Sequence, residues 1–272
     1  SVADLCAFFV QPIKFLLHKR LGRRLQEVEQ PLEEKEPFFI EGLEGYRIGQ
    51  QLVERLLDHE SRQSCFQSMK AASLLPHGAV GACAFDRAAD EASAFIDRIE
   101  SIIDTKELSS IDVLGRAGEF TLSGRIDNCA PFGLLLYRFA KANPKDMLHF
   151  WIKSLVCAAL SASAFKEKSV LVARDGCWEL PQIPDASQLL ESLLELYWQG
   201  LSFPLHFFSK SSWAYGQSAL VKNKSPEAAL RDARAVWTGD EYVTGESQDP
   251  YYALCFTATE NDPLDKIIVQ RV

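Results

Sequence analysis

The stretch between residues 111 and 140 constrains the fold of this chain more than any other. Three runs, Ile111 to Arg116, Glu119 to Cys129 and Gly133 to Ala140, are short, β-rich and separated by Gly and Pro, which predicts a meander of three strands. Helical patterns enclose them. Upstream, Asp4 to Leu25 carries Leu5, Phe8, Phe9, Ile13, Leu16, Leu17 and Leu21 at helical spacing, and Pro12 kinks or restarts that helix. Further helices are predicted over Leu43–His59, Arg62–Leu74 and Asp86–Asp104, the last with Phe95, Ile96, Ile99 and Ile103 as its apolar stripe. Downstream, Asn143-Pro144 with Asp146 marks a helix start, and that helix runs to about Ser161. Lys168 to Leu180 predicts a hairpin across Asp175-Gly176. Helices return at Ala186–Gln199, Trp213–Val221 and Pro226–Val236. This order predicts an α/β (α+β mixed) fold: a mixed central sheet flanked by helices, with helical additions at both ends. One domain is expected over 1–272, divided into a mainly helical part (1–105), a sheet core (106–182) and a helical tail (183–272).

Composition narrows the function classes. A chain of 272 residues, 47% hydrophobic and 24% charged, has the balance of a soluble globular protein with a sizeable core. Its net charge of −8 draws it neither to nucleic acid nor to an acidic membrane, so any DNA contact must come from a local basic patch. Met147 to Phe165 is the most apolar helix candidate, but His149, Lys153 and several serines make it a buried helix and not a membrane span. Ser1 leads into Asp4, Phe8 and Phe9 without a basic n-region, which predicts no signal peptide and a cytoplasmic location. The missing starting Met and the abrupt helical opening predict a fragment of a longer chain. Seven cysteines, an odd number with no Cys-x-x-Cys spacing, are expected to be reduced thiols packed as small hydrophobes, with neither a disulfide framework nor a zinc or iron–sulfur site. An acidic connector with Glu27, Glu29, Glu33, Glu34, Glu36, Glu41 and Glu44 is punctuated by Pro31 and Pro37 and reads as a linker.

No phosphate-binding Gly-x-x-x-x-Gly-Lys-Ser/Thr loop, Gly-x-Ser-x-Gly or His-Glu-x-x-His occurs, and the five histidines lack ligand spacing. One constellation has chemical shape. The strand Phe120-Thr-Leu-Ser-Gly-Arg-Ile-Asp127, a turn, the strand Gly133-Leu-Leu-Leu-Tyr-Arg-Phe-Ala140 and then a helix resemble the core of the PD-(D/E)XK nucleases. Hydrolysis there needs an acid on the first strand and Asp/Glu-x-Lys on the second: carboxylates hold a divalent ion, and the lysine orients water or neutralises charge. Asp127 fits the first position. The second strand offers Tyr137, Arg138 and Phe139 instead, with no carboxylate or lysine. A solitary carboxylate makes a poor Mg²⁺ site, so no metal, cofactor or catalytic residue is expected. Asp127 reads either as a relic of that site or as a strand-end carboxylate capping the Asn128–Pro131 turn. A rearranged, active metal-dependent nuclease, with Glu119 or Asp146 moved into the site, is the alternative.

Beyond the strand pair, the chain resembles the C-terminal domain of the gamma chain of exodeoxyribonuclease V, the RecC family. The matching stretches are Phe8 to Leu21, Glu36 to Tyr46, Trp151 to Val156, Leu171 to Pro181 and Gly200 to Leu205, spread over most of the chain in order. The resemblance implies a catalytically dead, nuclease-like domain. It also implies a place in a three-subunit helicase–nuclease that processes double-strand breaks, with the alpha and beta chains and DNA, as single strands at the unwinding fork, as partners and no membrane. The family's Chi-reading residues have no matched position here.

Two surfaces remain open to more than one reading. Lys14, Lys19, Arg20, Arg23 and Arg24 form the only dense basic cluster, with residues 20, 23 and 24 on one helical face. They either meet phosphates or complement the helix dipole and face the acidic connector. The aromatic run Phe203 to Phe208, through Trp213 and Tyr215, stacks bases, buries against a partner subunit or packs in the core.

Overall fold

The computed structural model describes residues 1–25, 42–103, 108–130, 132–161, 168–257 and 262–266. The acidic connector therefore lies mostly outside the described residues.

The N-terminal helix is broken where its proline demands. Helix α1 (Val2–Val10), capped by the Ser1 hydroxyl, stops at Gln11, and α2 (Pro12–Phe15) restarts with Pro12 in its first turn. The last turn, Leu16–Arg20, widens to a π-helix. Gly22 then takes φ +62°, and the Arg23 N–H reaches back to the Leu17 carbonyl at 2.8 Å. This is a widened glycine C-terminal closure, and it ends the helix at a residue without a Cβ. Arg23 and Arg24 lie beyond the helix, so they do not share a helical face with Arg20 as the sequence suggested.

Helices α3 (Gly42–Leu57), α4 (Arg62–Ala71) and α5 (Gly78–Glu100) follow. The sheet comes next: β1 (Ser109–Ala117), β2 (Phe120–Ala130) and β3 (Gly133–Arg138), then helix α6 (Pro144–Leu160), then β4 (Lys168–Ala173) and β5 (Gly176–Pro181). The five strands lie in sequence order. All neighbours are antiparallel except β3 and β4, which are parallel and joined through α6. Asn143 caps α6 in a reciprocal capping box with Asp146, and Pro144 fills the first turn, as the sequence predicts. Helices α7 (Ala186–Gly200), α8 (Ser209–Gly216), α9 (Pro226–Thr238) and the short α10 (Pro250–Tyr252) complete the chain; π turns extend α8 to Val221 and α10 to Thr257.

Three clusters of buried side chains hold these elements. On one face of the sheet, Val113, Leu122, Ile126, Leu134 and Leu171 meet α1, α6 and α7 through Phe8, Phe9, Leu155, Val156 and Leu190. On the other face, β3 and β4 alone are covered: Leu135, Phe139, Val170 and Val172 pack against Leu52, Val53, Met69, Phe95 and Ile99 of α3, α4 and α5. The same face of β1 and β2 is open, with Ser110, Asp112, Leu114, Arg116, Thr121, Ser123, Arg125 and Asp127 all exposed. The third cluster joins Ile13 of α2 to Phe208, Trp237, Tyr251, Tyr252 and Phe256 near the C-terminus. His18 and Tyr251 meet at 2.6 Å in the same region, and Gln11 donates to Asp249.

The start of α8 is capped from a distance. Glu246, only 5% exposed, accepts from the Ser211 N–H and hydroxyl, both at 2.8 Å, and from the Lys210 N–H at 3.1 Å. The carboxylate satisfies helix N–H groups that no local residue reaches.

Candidate functional site

The relic position does not lie where the sequence suggested. Asp127 stands three residues inside β2, not at its end. Asn128 takes φ +63° within the strand, and pairing continues through Cys129↔Leu134 and Ala130↔Gly133. The Asp127 carboxylate faces the open side of the sheet and accepts from the Ser110 hydroxyl of β1 at 2.6 Å and from Arg125 Nε at 3.0 Å. Those two donors hold its pKa below the usual carboxylate value, the Ser110 bond most of all. It binds across the strand pair, so its expected role as a cap of the Asn128–Pro131 turn is not what the structure shows; Pro131 itself lies outside the described residues.

Of the three residues expected on the second strand, Tyr137 and Phe139 go to one place and Arg138 to another. Tyr137 is half-buried against the α3–α5 layer, where burial and the carboxylates of Glu54 and Asp58 raise its pKa. Phe139 is buried there too, edge-on to Phe95, and its N–H donates to Gln50 Oε1 at 3.0 Å. Gly49 makes this contact close: a Cβ added at that position would stand 2.4 Å from the Phe139 ring. Arg138 turns toward α6, ion-pairs with Asp146, and lies over the Tyr46 ring at 5.2 Å. Its Nε is buried with no hydrogen-bond partner among the described residues.

The two carboxylates of the rearranged-site alternative do not join Asp127. Asp146 is committed to Arg138 and to the Asn143 N–H. Glu119 sits in the β1–β2 turn, eight residues along β2 from Asp127, or roughly 26 Å at strand rise. Among the described residues, no group of three or more His, Cys, Asp or Glu side chains comes together with metal-binding geometry.

The basic cluster is only partly assembled. Lys19 pairs with Asp4 at 3.6 Å, and Lys14 lies over the Tyr251 ring at 5.3 Å. Arg20, Arg23 and Arg24 are exposed, with no acidic partner among the described residues. The aromatic run is divided in the same way: Phe208 is fully buried in the third cluster and Phe207 packs on the first, whereas Phe203 is 70% exposed. The seven cysteines are all free thiols. Among the described residues no helix is long and apolar enough to cross a membrane.

Sequence reasoning missed a cleft of about 700 Å³ at the carboxyl ends of β3 and β4. Gly45, Tyr46 and Gly49 of α3, Arg87 and Glu91 of α5, and Phe139, Lys141, Arg174 and Asp175 line it. Lys141 stands in sequence just past the strand on which catalytic residues were sought, and that nearness was the one available signal.

Residues 1–219 match the model of the RecC C-terminal domain family. The RecBCD enzyme subunit RecC of Escherichia coli strain K12 is 24% identical over 273 residues, an alignment covering 97% of this chain and 24% of that protein. Its counterpart from Haemophilus influenzae is 25% identical over 188 residues, covering 66% of this chain and 16% of that one. The RecC of Buchnera aphidicola subsp. Schizaphis graminum is 22% identical over 261 residues, covering 92% and 24%. The chain thus spans about a quarter or less of the length of each of these relatives. With most of its residues, from the kinked first helix to α8, matching a single family, the chain belongs to the RecC C-terminal domain family.

Proposed function

We propose that this chain is a non-catalytic, nuclease-like domain of the gamma subunit of a cytoplasmic helicase–nuclease, exodeoxyribonuclease V, acting in double-strand break repair by recombination. In this role it braces the motor-bearing alpha and beta chains and guides unwound single strands. The relatives it resembles are named as subunits of the RecBCD enzyme, which supports placing it in a multi-subunit machine. The strand order supports the PD-(D/E)XK-like reading: two antiparallel strands in register with a third, then a helix crossover to a fourth strand parallel to the third.

One observation carries the loss of catalysis. Hydrolysis on this scaffold requires oxygen and ammonium groups on the second strand, beside the first-strand acid. Here Tyr137 and Phe139 pack with the apolar layer of α3 and α5, and Arg138 is tied to Asp146. Asp127 is left bonded to a serine and an arginine, an arrangement that presents an ion with one carboxylate and a neighbouring positive charge.

The test is direct. The purified chain is incubated with single-stranded DNA and Mg²⁺ or Mn²⁺, alone and with the alpha and beta chains. The expected result is no cleavage by the chain alone, together with co-purification with the other two subunits. Cleavage that disappears in Asp127→Ala would refute the non-catalytic reading, and failure to co-purify would refute the bracing role.

A further inference from the structure

We infer that the cleft at the carboxyl ends of β3 and β4 is a binding site for single-stranded DNA, holding about two phosphates and one base face. The inference rests on the DNA-guiding role proposed above and gives that role a location. β3 and β4 are the parallel pair of the sheet, so their carboxyl ends lie side by side, and the cleft opens just beyond them. The strands end at Arg138 and Ala173, and the Arg174 N–H bonds the Ala140 carbonyl at 2.9 Å, so the floor is fixed backbone.

The lining has the two chemistries that single strands require. One is stacking surface. Tyr46, only partly buried on the cleft wall, is the ring that a base can reach, with the Arg138 guanidinium 5.2 Å from its centroid; Phe139 also lines the cleft but is buried, with Arg174 over its ring at 5.0 Å. The other is positive charge. The Arg174 guanidinium and the Glu91 carboxylate pair at 3.0 Å, while the Asp175 carboxylate accepts from the Ala142 N–H at 2.8 Å and keeps its charge. Against that one carboxylate stand Arg87 and Lys141, both exposed and without a carboxylate partner among the described residues, on the α5 and β3 sides of the cleft, so its lining is net positive. Phosphates placed between them gain charge-assisted bonds, in a chain whose overall charge of −8 would otherwise repel DNA.

The experiment is fluorescence anisotropy of a labelled oligo-dT with the full chain across a salt series. Three variants are compared with the wild type: Arg87→Ala/Lys141→Ala, Tyr46→Leu, and Arg23→Ala/Arg24→Ala as a control on the other basic cluster. Removing two phosphate contacts lowers the slope of log K against log salt by about 1.4, and removing one stacking platform weakens binding on the order of fivefold or more. Arg87 and Lys141 form no described ion pair, so the double variant is expected to melt at the wild-type temperature. Binding unchanged in the Arg87/Lys141 variant overturns the cleft assignment and leaves the DNA-guiding role intact, above all where Arg23→Ala/Arg24→Ala weakens it. No binding by the wild type overturns both. Unchanged DNA binding with lost co-purification of the alpha or beta chain assigns the cleft to an acidic protein surface instead and refutes the inference.

Discussion

Replacing Glu246 with Ala tests whether a carboxylate 35 residues downstream holds the first turn of α8. The wild-type side chain is buried and accepts two backbone N–H bonds and two hydroxyl bonds, the latter from Ser211 at 2.8 Å and Ser209 at 3.4 Å. Alanine leaves the N–H groups of Lys210 and Ser211 without partners at a helix start, where water enters poorly. A hydrogen bond to a charged group contributes about 1.5–3 kcal/mol and a lost helix cap costs about 0.5–2 kcal/mol. Two strong bonds of the four, less the relief from no longer burying a carboxylate, give a destabilisation of about 3 kcal/mol. Glu246→Gln keeps one acceptor oxygen for Ser211 but turns an NH₂ toward other donors, so its loss should be about half as large. The assay is thermal unfolding followed by circular dichroism, with the melting midpoint of the Ala variant expected to fall by about 6 °C or more. An Ala variant within about 0.5 kcal/mol of wild type would show that the α8 N-terminus is satisfied without Glu246, and the capping argument would fail.

Two further perturbations read other parts of the molecule. Gly49→Ala places a methyl group 2.4 Å from a Phe139 ring that Phe95 already confines; after the gain in helix propensity it should destabilise by about 1–2 kcal/mol, and a melting temperature at or above wild type would mean the α3–β3 contact is slack. Burial, with Lys153 nearby, holds the His149 pKa below 6.5, while Asp146 works the other way. The unfolded chain therefore takes up this proton first, so the stabilisation is fully present above pH 6.5 and is lost as pH falls from there through the folded pKa. His149→Gln should flatten the fall in urea midpoint between about pH 7.5 and 5.5, and an NMR-measured imidazole pKa above 6.5 would contradict the burial argument.

Where local chemistry decides the structure, the sequence was readable. Pro12 breaks the first helix, Asn143-Pro144 with Asp146 starts α6, and the three β-rich runs form adjacent antiparallel strands within two residues of their expected ends. Where a partner far along the chain decides, it was not. α8 begins at Ser209 and not Trp213 because its cap is supplied by Glu246. α5 begins at Gly78, eight residues before its expected start, in an alanine- and glycine-rich stretch that carries little apolar periodicity. The hairpin at 168–180 was foreseen, but its turn is Arg174-Asp175, with Gly176 already paired to Ala173. The candidate site divides similarly. That Tyr137, Arg138 and Phe139 replace an acid and a lysine is visible in one dimension. That Arg87 and Lys141, 54 positions apart, line one cleft is a product of α5 packing beside β3 and has no local trace.

The third cluster has a bearing on how such a chain can be shortened. Residues 1–219 are the part that matches the family, yet Ile13 is buried among Phe208, Trp237, Tyr251 and Phe256, and Gln11 and His18 bond to Asp249 and Tyr251. Trp237, Asp249, Tyr251 and Phe256, all beyond residue 219, thus act as the lid of the box in which the opening helix is stored. A version cut at the family boundary would bare the underside of α2 to water and cast loose the Lys14–Arg24 segment, so what was lost at one terminus would be felt at the other.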